Sequence, residues 1–248
     1  MSDILFTHSY FYRFDPKQWK TGQPYPPYGT LYAAALMREC GYDVCLFDTN
    51  LSKSPDEIRP LLEREKPRFL VIYDDGFNYL TKMCLTRMRE AAFKMIRTGK
   101  EQGCTVIVNS SDATDHSEQY LSQGADFVIL GEGEITLREL VLTVDGRRET
   151  VDGGRWTVDG RRWTGDGGRE TVDGGRETGD GRRWTGDGGR ETADGIWVGM
   201  EHIPGIAYLS GTSHTEPHTK DSTPSTVHRP PSTVHRPPSP VHRTSPRP

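Results

Sequence analysis

Short apolar runs recur along the first 130 residues, and each gives way to a polar or glycine-containing segment. The run FLVIY, at 69–73, is continuous and rich in β-branched and aromatic residues, which is typical of a strand covered on both faces. Together with four similar runs it predicts five strands, at 4–8, 43–48, 69–73, 105–108 and 127–130.

The segments between these runs follow a helical period. In 82–102 the apolar residues fall on one helical face, and in 28–40 a stretch of helix formers ends at Gly41. Further helices are predicted at 55–66, around 117–121 and at 134–142. Five β–α units predict an α/β fold, an open, doubly wound, five-stranded parallel sheet of the Rossmann-like or flavodoxin-like type.

After Leu142 the apolar pattern stops. Residues 143–198 form eight seven-residue units of the type TVDGGRW, and each contains Asp-Gly. The period of seven suggests a coiled coil, but no apolar a/d pair is present. A calcium-binding β-solenoid is an alternative, since Asp-Gly turns can present oxygen ligands. The scarcity of apolar residues favours disorder.

The C-terminal tail also repeats with a period of seven residues. Residues 212–248 are rich in Pro, Ser, His and Arg and contain the units STVHRPP, STVHRPP and SPVHRTS. Codons for STVHRPP, read on the opposite DNA strand, can encode RWTVDGG, the unit of the first repeat. We interpret both tracts as one DNA repeat read sense and then antisense, inserted into a longer gene, and we predict that 212–248 is disordered. Residues 199–211 are interpreted as the remnant of an interdomain linker.

Composition narrows the classes of function. Residues 1–142 carry 16 Lys and Arg against 20 Asp and Glu. This slightly acidic balance favours neither a nucleic-acid nor a membrane partner. There is no apolar run of the length that a membrane span needs and no secretory signal pattern. The four cysteines lack metal-ligand and disulfide-framework spacing, so a cytoplasmic protein with buried thiols is expected.

Loops that follow the strands of such a sheet meet at one edge, where ligands bind. The segment after the first strand is long and ends in PYPPYG, in which Gly29 permits close approach of a ligand to the backbone. The later strands are followed by DDGFN at 74–78, NSSDATDH at 109–116 and GEGE at 131–134.

Three other types of site fit these loops poorly. A phosphoryl-accepting receiver domain would need acidic residues after the first strand and a lysine after the fifth, where THS and GEG stand. GEGE lacks the GxGxxG pattern, and its carboxylates would repel a pyrophosphate. His8 and His116 are candidate metal ligands, but neither has a partner at ligand spacing, so loop polarity or capping is the favoured role.

The segments PYPPYGTLYAAALMRECGYDVCLFD, TVIVNSSDATDH and ADFVILGEGEITLREL, in this order, resemble the N-terminal cobalamin-binding domain of cobalamin-dependent radical S-adenosylmethionine enzymes. The resemblance covers roughly residues 3–142. HIPGIAYL, at 202–209, resembles the segment that links this domain to the radical domain. The mutase-type DxHxxG motif is absent, because THSYFY follows the first strand.

The resemblance implies a base-off cobalamin over the carboxyl edge of the sheet, with its nucleotide tail running down between strands and helices. It implies cofactor-binding roles for Tyr28, Gly29, Asp74, Asp75, Gly76, Ser110, Ser111, Asp112, Gly131, Glu132 and Gly133.

The family holds a [4Fe-4S] cluster with CxxxCxxC, three thiolates leaving one iron open for S-adenosylmethionine. No cysteine follows Cys104. We therefore expect the cluster and S-adenosylmethionine only in a catalytic domain missing from this chain. Enzymes of this family often transfer methyl groups, but this chain should bind cobalamin and catalyse nothing by itself. A stand-alone cobalamin carrier or sensor, and a doubly wound domain that binds another small ligand or none, remain alternatives.

Overall fold

A computed structural model describes residues 2–74, 85–146, 200, 202–209 and 240–246, and the backbone of short strands between 149 and 198. The core of the fold is one seven-stranded sheet. Its strands are β1 (Ile4–Thr7), β2 (Val44–Phe47), β3 (Phe69–Tyr73), β4 (Thr105–Asn109), β5 (Phe127–Ile129), β6 (Ile206–Leu209) and β7 (Val241–Arg243).

The strand order is β7-β6-β5-β4-β3-β1-β2. Strands β1 to β5 pair in parallel, as predicted. Strands β6 and β7 are antiparallel to their neighbours. The fold is therefore α/β with a mostly parallel sheet, but the sheet has seven strands and not the predicted five.

Helices flank this sheet. They are α1 (Pro16–Thr21), α2 (Tyr28–Glu39), α3 (Arg59–Glu65), α4 (Leu85–Glu101), α5 (Ser111–Asp115), α6 (Ser117–Ser122) and α7 (Glu134–Val144), with 3-10 turns at Tyr12–Phe14 and Pro55–Ile58. Among the described helices, none combines the length and the apolar character that crossing a membrane requires.

Alternate residues of the strands point to opposite sides of the sheet, as the pleat requires. Phe69, Val71 and Tyr73 pack with residues of α2 and α7 on one side. Leu70 and Ile72 pack with residues of α3, α4 and α6 on the other. Burial on both sides explains why the central strands read as continuous apolar runs.

The two added strands come from segments for which no strand was predicted. Strand β6 lies within 199–211, the predicted linker remnant, and Ile206, Ala207 and Tyr208 are fully buried in it. Strand β7 lies within 212–248, so the prediction of disorder for that tail is not confirmed at Val241–Arg243. The boundary drawn at Leu142 therefore leaves two strands of the sheet outside the predicted domain.

The described parts of the repeat also contain regular backbone. Residues Glu149–Asp152 and Arg155–Val158 pair as an antiparallel ladder, and Arg190–Glu191 pairs with Trp197–Val198. Residues Thr143 and Val144, the start of the repeat by sequence, complete α7. The predicted disorder of 143–198 is not confirmed in these parts.

Candidate functional site

The order of the strands reverses at β1, which lies between β2 and β3. In open α/β sheets, a ligand crevice forms beyond the carboxyl ends of the strands at such a switch point. Ser9 follows β1 and Asp74 follows β3, and the two meet there. The backbone N–H of Ser9 donates to Asp74 Oδ1 and its hydroxyl donates to Oδ2, both at 2.6 Å.

Asp74 has an altered acidity at this point. Burial raises the pKa of its carboxyl above the usual range, although the hydrogen bonds from Ser9 act in the opposite direction. A carboxyl that keeps its proton to a higher pH can donate a hydrogen bond as well as accept one.

A cleft opens beside this pair, on the side of the sheet that α4 and α6 cover. The space inside it is about 10 Å³, roughly the room of one water molecule. Its wall is made of polar groups from the ends of β1, β3 and β4 and of side chains from the helices: Ser9, Asp74, Leu85, Met88, Arg89, Ser110, Ser111, Asp112 and Tyr120. Four predicted site residues, Asp74, Ser110, Ser111 and Asp112, therefore line one cleft.

Asp112 is bound by protein partners on both of its oxygens. Arg89 donates to them at 2.7 and 2.5 Å, and the Tyr120 hydroxyl donates at 2.7 Å. Burial by itself would raise the pKa of Asp112, but the hydrogen bonds from Arg89 and Tyr120 outweigh it and hold the pKa below its usual range. Asp112 thus fixes α5 against α4 and α6, a structural role that the sequence did not indicate.

The two serines differ in their availability. Ser110 is buried and its Oγ accepts from the backbone N–H of Ala113 at 2.9 Å, so it caps α5. Ser111 is exposed at the first position of α5. The hydroxyl of Ser111 is the group of this loop best placed to meet a ligand.

A second group of predicted residues surrounds Tyr73 and Asn109, at the ends of β3 and β4. The Tyr73 side chain points away from the cleft, to the side of the sheet that α2 and α7 cover. Asn109 Nδ2 donates to the carbonyl of Gly131 at 3.1 Å. A Cβ atom on Gly133 would lie 2.8 Å from the Tyr73 hydroxyl and 2.9 Å from Asn109 Cγ. Packing inside the protein by itself therefore requires glycine at 133, a constraint that the sequence did not indicate.

Tyr73 is held tightly in this second group. Burial and the negative charge of Glu134, which shares a hydrogen bond with the phenol, raise its pKa. Its backbone carbonyl accepts from the buried Thr30 hydroxyl at 2.6 Å, which fixes the start of α2 against β3.

The remaining predicted residues lie at the rim. Tyr28 is 72% exposed at the first position of α2, and Gly29 is half-buried beside it. Gly131 has a φ of +78°, a left-handed conformation that favours glycine, and Glu132 is exposed. Asp75 and Gly76 lie outside the described residues.

The two histidines have the polar roles that the sequence favoured. His8 is buried, with Asp48 Oδ1 3.0 Å from its Nε2 and the Thr49 hydroxyl 3.1 Å from its Nδ1. His116 Nδ1 lies 3.1 Å from the carbonyl of Asp112, at the end of α5. Within the described part of the chain, no group of three His, Cys, Asp or Glu side chains could hold a metal ion.

Sequence reasoning missed the partners that shape the cleft. Ser9 directly follows a predicted strand, so its place after β1 was a usable signal. Arg89 and Tyr120 carried no such signal, because their contact with Asp112 depends on how two distant helices pack.

No protein-family model, no curated protein and no solved structure matches this chain.

The cleft is suited to neutral polar groups. The one arginine in its wall is engaged with Asp112, and Asp74 adds acidic character. A ligand held mainly through its phosphate would need a site with unpaired cations or backbone amides and without carboxylates nearby. Hydroxyl and amide groups of a ligand could instead bond to Ser111 and Asp74.

Proposed function

We propose that the carboxyl edge of the five parallel strands binds cobalamin, and that these strands with their helices form a doubly wound cofactor-binding unit. The observation that carries the proposal is the polar cleft at the β1/β3 switch point, lined by residues of the segments that resemble cobalamin-binding domains. In this proposal the chain belongs to a cytoplasmic relative of radical S-adenosylmethionine methyltransferases.

The size of the cleft determines which part of the cofactor it could hold. At about 10 Å³ the cleft lies far below the roughly 300 Å³ at which small-molecule sites begin, so a corrin ring exceeds it and even a smaller group could enter only if its walls move apart. We propose that the walls move apart to admit the neutral benzimidazole end of the nucleotide tail between Ser9, Asp74 and Ser111, while the phosphate of the tail stays at the open mouth. The corrin would lie over the strand ends, against the exposed Tyr28 and the Gly131 turn.

Cobalt would supply methyl-transfer chemistry when cobalamin is bound. This chain's own residues would bind and orient the cofactor and shield its tail from water. The [4Fe-4S] cluster and S-adenosylmethionine would belong to a further domain, so the chain by itself would catalyse no radical reaction.

The test is titration of the full chain with hydroxocobalamin, followed by absorbance and by co-elution in gel filtration. Cobinamide, which has the corrin but no nucleotide tail, serves as the second ligand. We expect Ser111→Trp to fill the mouth of the cleft and to weaken cobalamin binding by at least about tenfold. Cobinamide should bind weakly to the wild type, with little further loss in the variant.

The matched control is Ser122→Trp, because Ser122 is an exposed helical serine at the end of α6 and does not line the cleft. It should bind cobalamin as the wild type does. A folded wild-type chain without cobalamin binding would overturn the proposal. Equal binding by the wild type and Ser111→Trp would disprove the assignment of the cleft. Gly133→Trp is unsuited to this test, because the packing around Gly133 would be disrupted.

The small volume of the cleft also favours a second candidate, a domain that binds a small neutral polar ligand in place of cobalamin. Thermal-shift measurements with a set of small polyols and amides distinguish the two. A ligand that raises Tm in the wild type and in Ser122→Trp, but not in Ser111→Trp, would support this candidate if hydroxocobalamin shows no binding.

A further inference from the structure

Strand β7 is one of three nearly identical stretches in the tail. The tripeptide Val-His-Arg occurs at 227–229, 234–236 and 241–243, and the last occurrence is strand β7. The three stretches differ in the residue that follows. Pro230 and Pro237 follow the first two, whereas Thr244 follows the third.

Thr244 makes a two-way contact with β6. Its backbone N–H donates to the carbonyl of Ile206 at 2.9 Å, and its Oγ1 accepts from the N–H of Ile206 at 2.9 Å. Ile206 is fully buried and Thr244 is 9% exposed. Thr244 thus satisfies both backbone groups of a buried residue.

The residues of β7 and Ser245 make further contacts on either side of Thr244. The carbonyl of Ser245 accepts from the N–H of Gly205 at 2.8 Å. The guanidinium of Arg243 donates to the hydroxyl of Ser117 at 2.9 Å, and the His242 ring lies 5.3 Å from the ring of Tyr208. The side chains of Val, His and Arg occur in all three stretches, so they cannot distinguish one stretch from another.

Proline at the position of Thr244 would remove the contact with Ile206. A proline has no backbone N–H to donate to the Ile206 carbonyl and no hydroxyl to accept from its N–H. Two buried backbone groups would then lose their partners, which is costly in a protein interior. Pro230 and Pro237 therefore make the first two stretches poor occupants of this edge.

The connection between β6 and β7 does not impose their pairing. Strand β6 ends at Leu209 and β7 begins at Val241, so residues 210–240 intervene, whereas a tight hairpin needs only about two to five. The contacts described between the strands therefore carry the placement of β7.

We propose that the outer edge of β6 is a strand-accepting site for an extended Val-His-Arg-Thr peptide, and that β7 is its tethered occupant. The edge supplies the backbone ladder, as in recognition by strand addition. The hydroxyl of Ser117, which accepts from the Arg243 guanidinium, favours arginine at the third position. Ile206 selects a residue with both an N–H and a hydroxyl at the fourth.

The experiment uses the full chain with His242→Pro and Thr244→Pro, whose own tail cannot pair with β6. Fluorescence anisotropy measures binding of two labelled peptides, SPVHRTSP and SPVHRPSP. Each lost hydrogen bond to a buried group is expected to weaken binding by about tenfold, so the double variant should prefer the threonine peptide by at least that factor. The wild-type chain, whose edge is occupied, should bind either peptide at least about tenfold more weakly. A Thr244→Ser chain retains the N–H and hydroxyl and should behave as the wild type.

A second measurement needs no variant. In native hydrogen exchange of the wild-type chain, the amides of 241–244 should be protected at least about tenfold more than those of Val-His-Arg at 227–229 and 234–236. Equal protection of the three stretches would overturn the proposal. So would equal affinity of the double variant for the two peptides, or binding of neither peptide.

Discussion

Strands β1 to β5 and strands β6 and β7 share one sheet but enter it by different means. Each of the first five belongs to a unit in which an apolar run alternates with a helix that covers it. The last two are antiparallel additions: β6 pairs with the edge of β5, and β7 pairs with β6. Strand β6 brings a buried Tyr208 to the core, and β7 is held mainly by backbone pairing and a few side chains.

This difference shows which kind of strand can be predicted from its sequence. A parallel strand covered on both sides must be apolar throughout, and such a run is visible in any stretch of sequence. An edge strand needs apolar residues on one side at most, and its backbone pairs whatever the side chains are. The sequence VHR of strand β7 therefore cannot be distinguished from the rest of the tail by its apolar pattern.

The largest effect is expected when the core contribution of β6 is removed. Tyr208 and Phe127 are both fully buried, with ring centroids 6.2 Å apart. Tyr208→Ala and Phe127→Ala should each lower the free energy of unfolding by about 3–5 kcal/mol, since both leave cavities in the same cluster. Chemical denaturation of the full chain measures both. A loss below about 1 kcal/mol for Tyr208→Ala alone would show that β6 stands outside the cooperative core.

A smaller effect is expected from the ion pairs of the two regions. Asp112 receives two hydrogen bonds from Arg89 and its side chain is 9% exposed, whereas Arg243 and Glu118 are 3.7 Å apart and at least half exposed. Asp112→Asn should lower the free energy of unfolding by about 1–3 kcal/mol. Glu118→Gln, the matched control, should change it little, because exposed pairs contribute little.

The effect of Asp112 should depend on pH in a defined direction. Its folded pKa lies below its unfolded value of about 3.9, so its contribution is present above that value and lost as the pH falls through the folded pKa. Denaturation of the wild type and Asp112→Asn at neutral and acidic pH should show a difference that shrinks below about pH 4. A difference that grows in acid would contradict this assignment.

The smallest effect is expected for matched valines. Val128 in β5 is fully buried, and Val241 in β7 is half-buried. Val128→Ala should cost about 2 kcal/mol and Val241→Ala well under 1 kcal/mol, in proportion to the apolar surface that each removes. Equal losses in denaturation would mean that β7 is as firmly integrated as β5.

Much of the fold could be predicted because burial dictates the sequence pattern. The five parallel strands were placed within one or two residues, and α2 and α7 likewise. The predicted helix at 55–66 divides into the 3-10 turn Pro55–Ile58 and α3, where Pro60 lies at the start. Helix α1 was missed although Asp15 caps it and Pro16 begins it, a signal hidden inside a long loop.

Less of the candidate site could be predicted, because loop positions do not reveal contacts. The described residues that come after β1, β3, β4 and β5, among them Ser9, Asp74, Ser110 and Gly131, do lie at one edge of the sheet. Asp112, however, is bound to Arg89 and Tyr120, and Gly133 fits under Tyr73 and Asn109. These contacts depend on how helices and strands pack in the folded protein, which no local pattern encodes.

The contact of Thr244 with Ile206 has a consequence for how folds grow. A segment can pair with an open sheet edge if it meets few conditions. Its backbone must be extended, its side chains must fit, and it must have no proline where an N–H has to donate a hydrogen bond. Among the described residues of the tail, the unit that lies in the sheet has threonine in place of proline. Repetitive coding sequence can thus be recruited into an existing domain through a single codon, before any selection on a core.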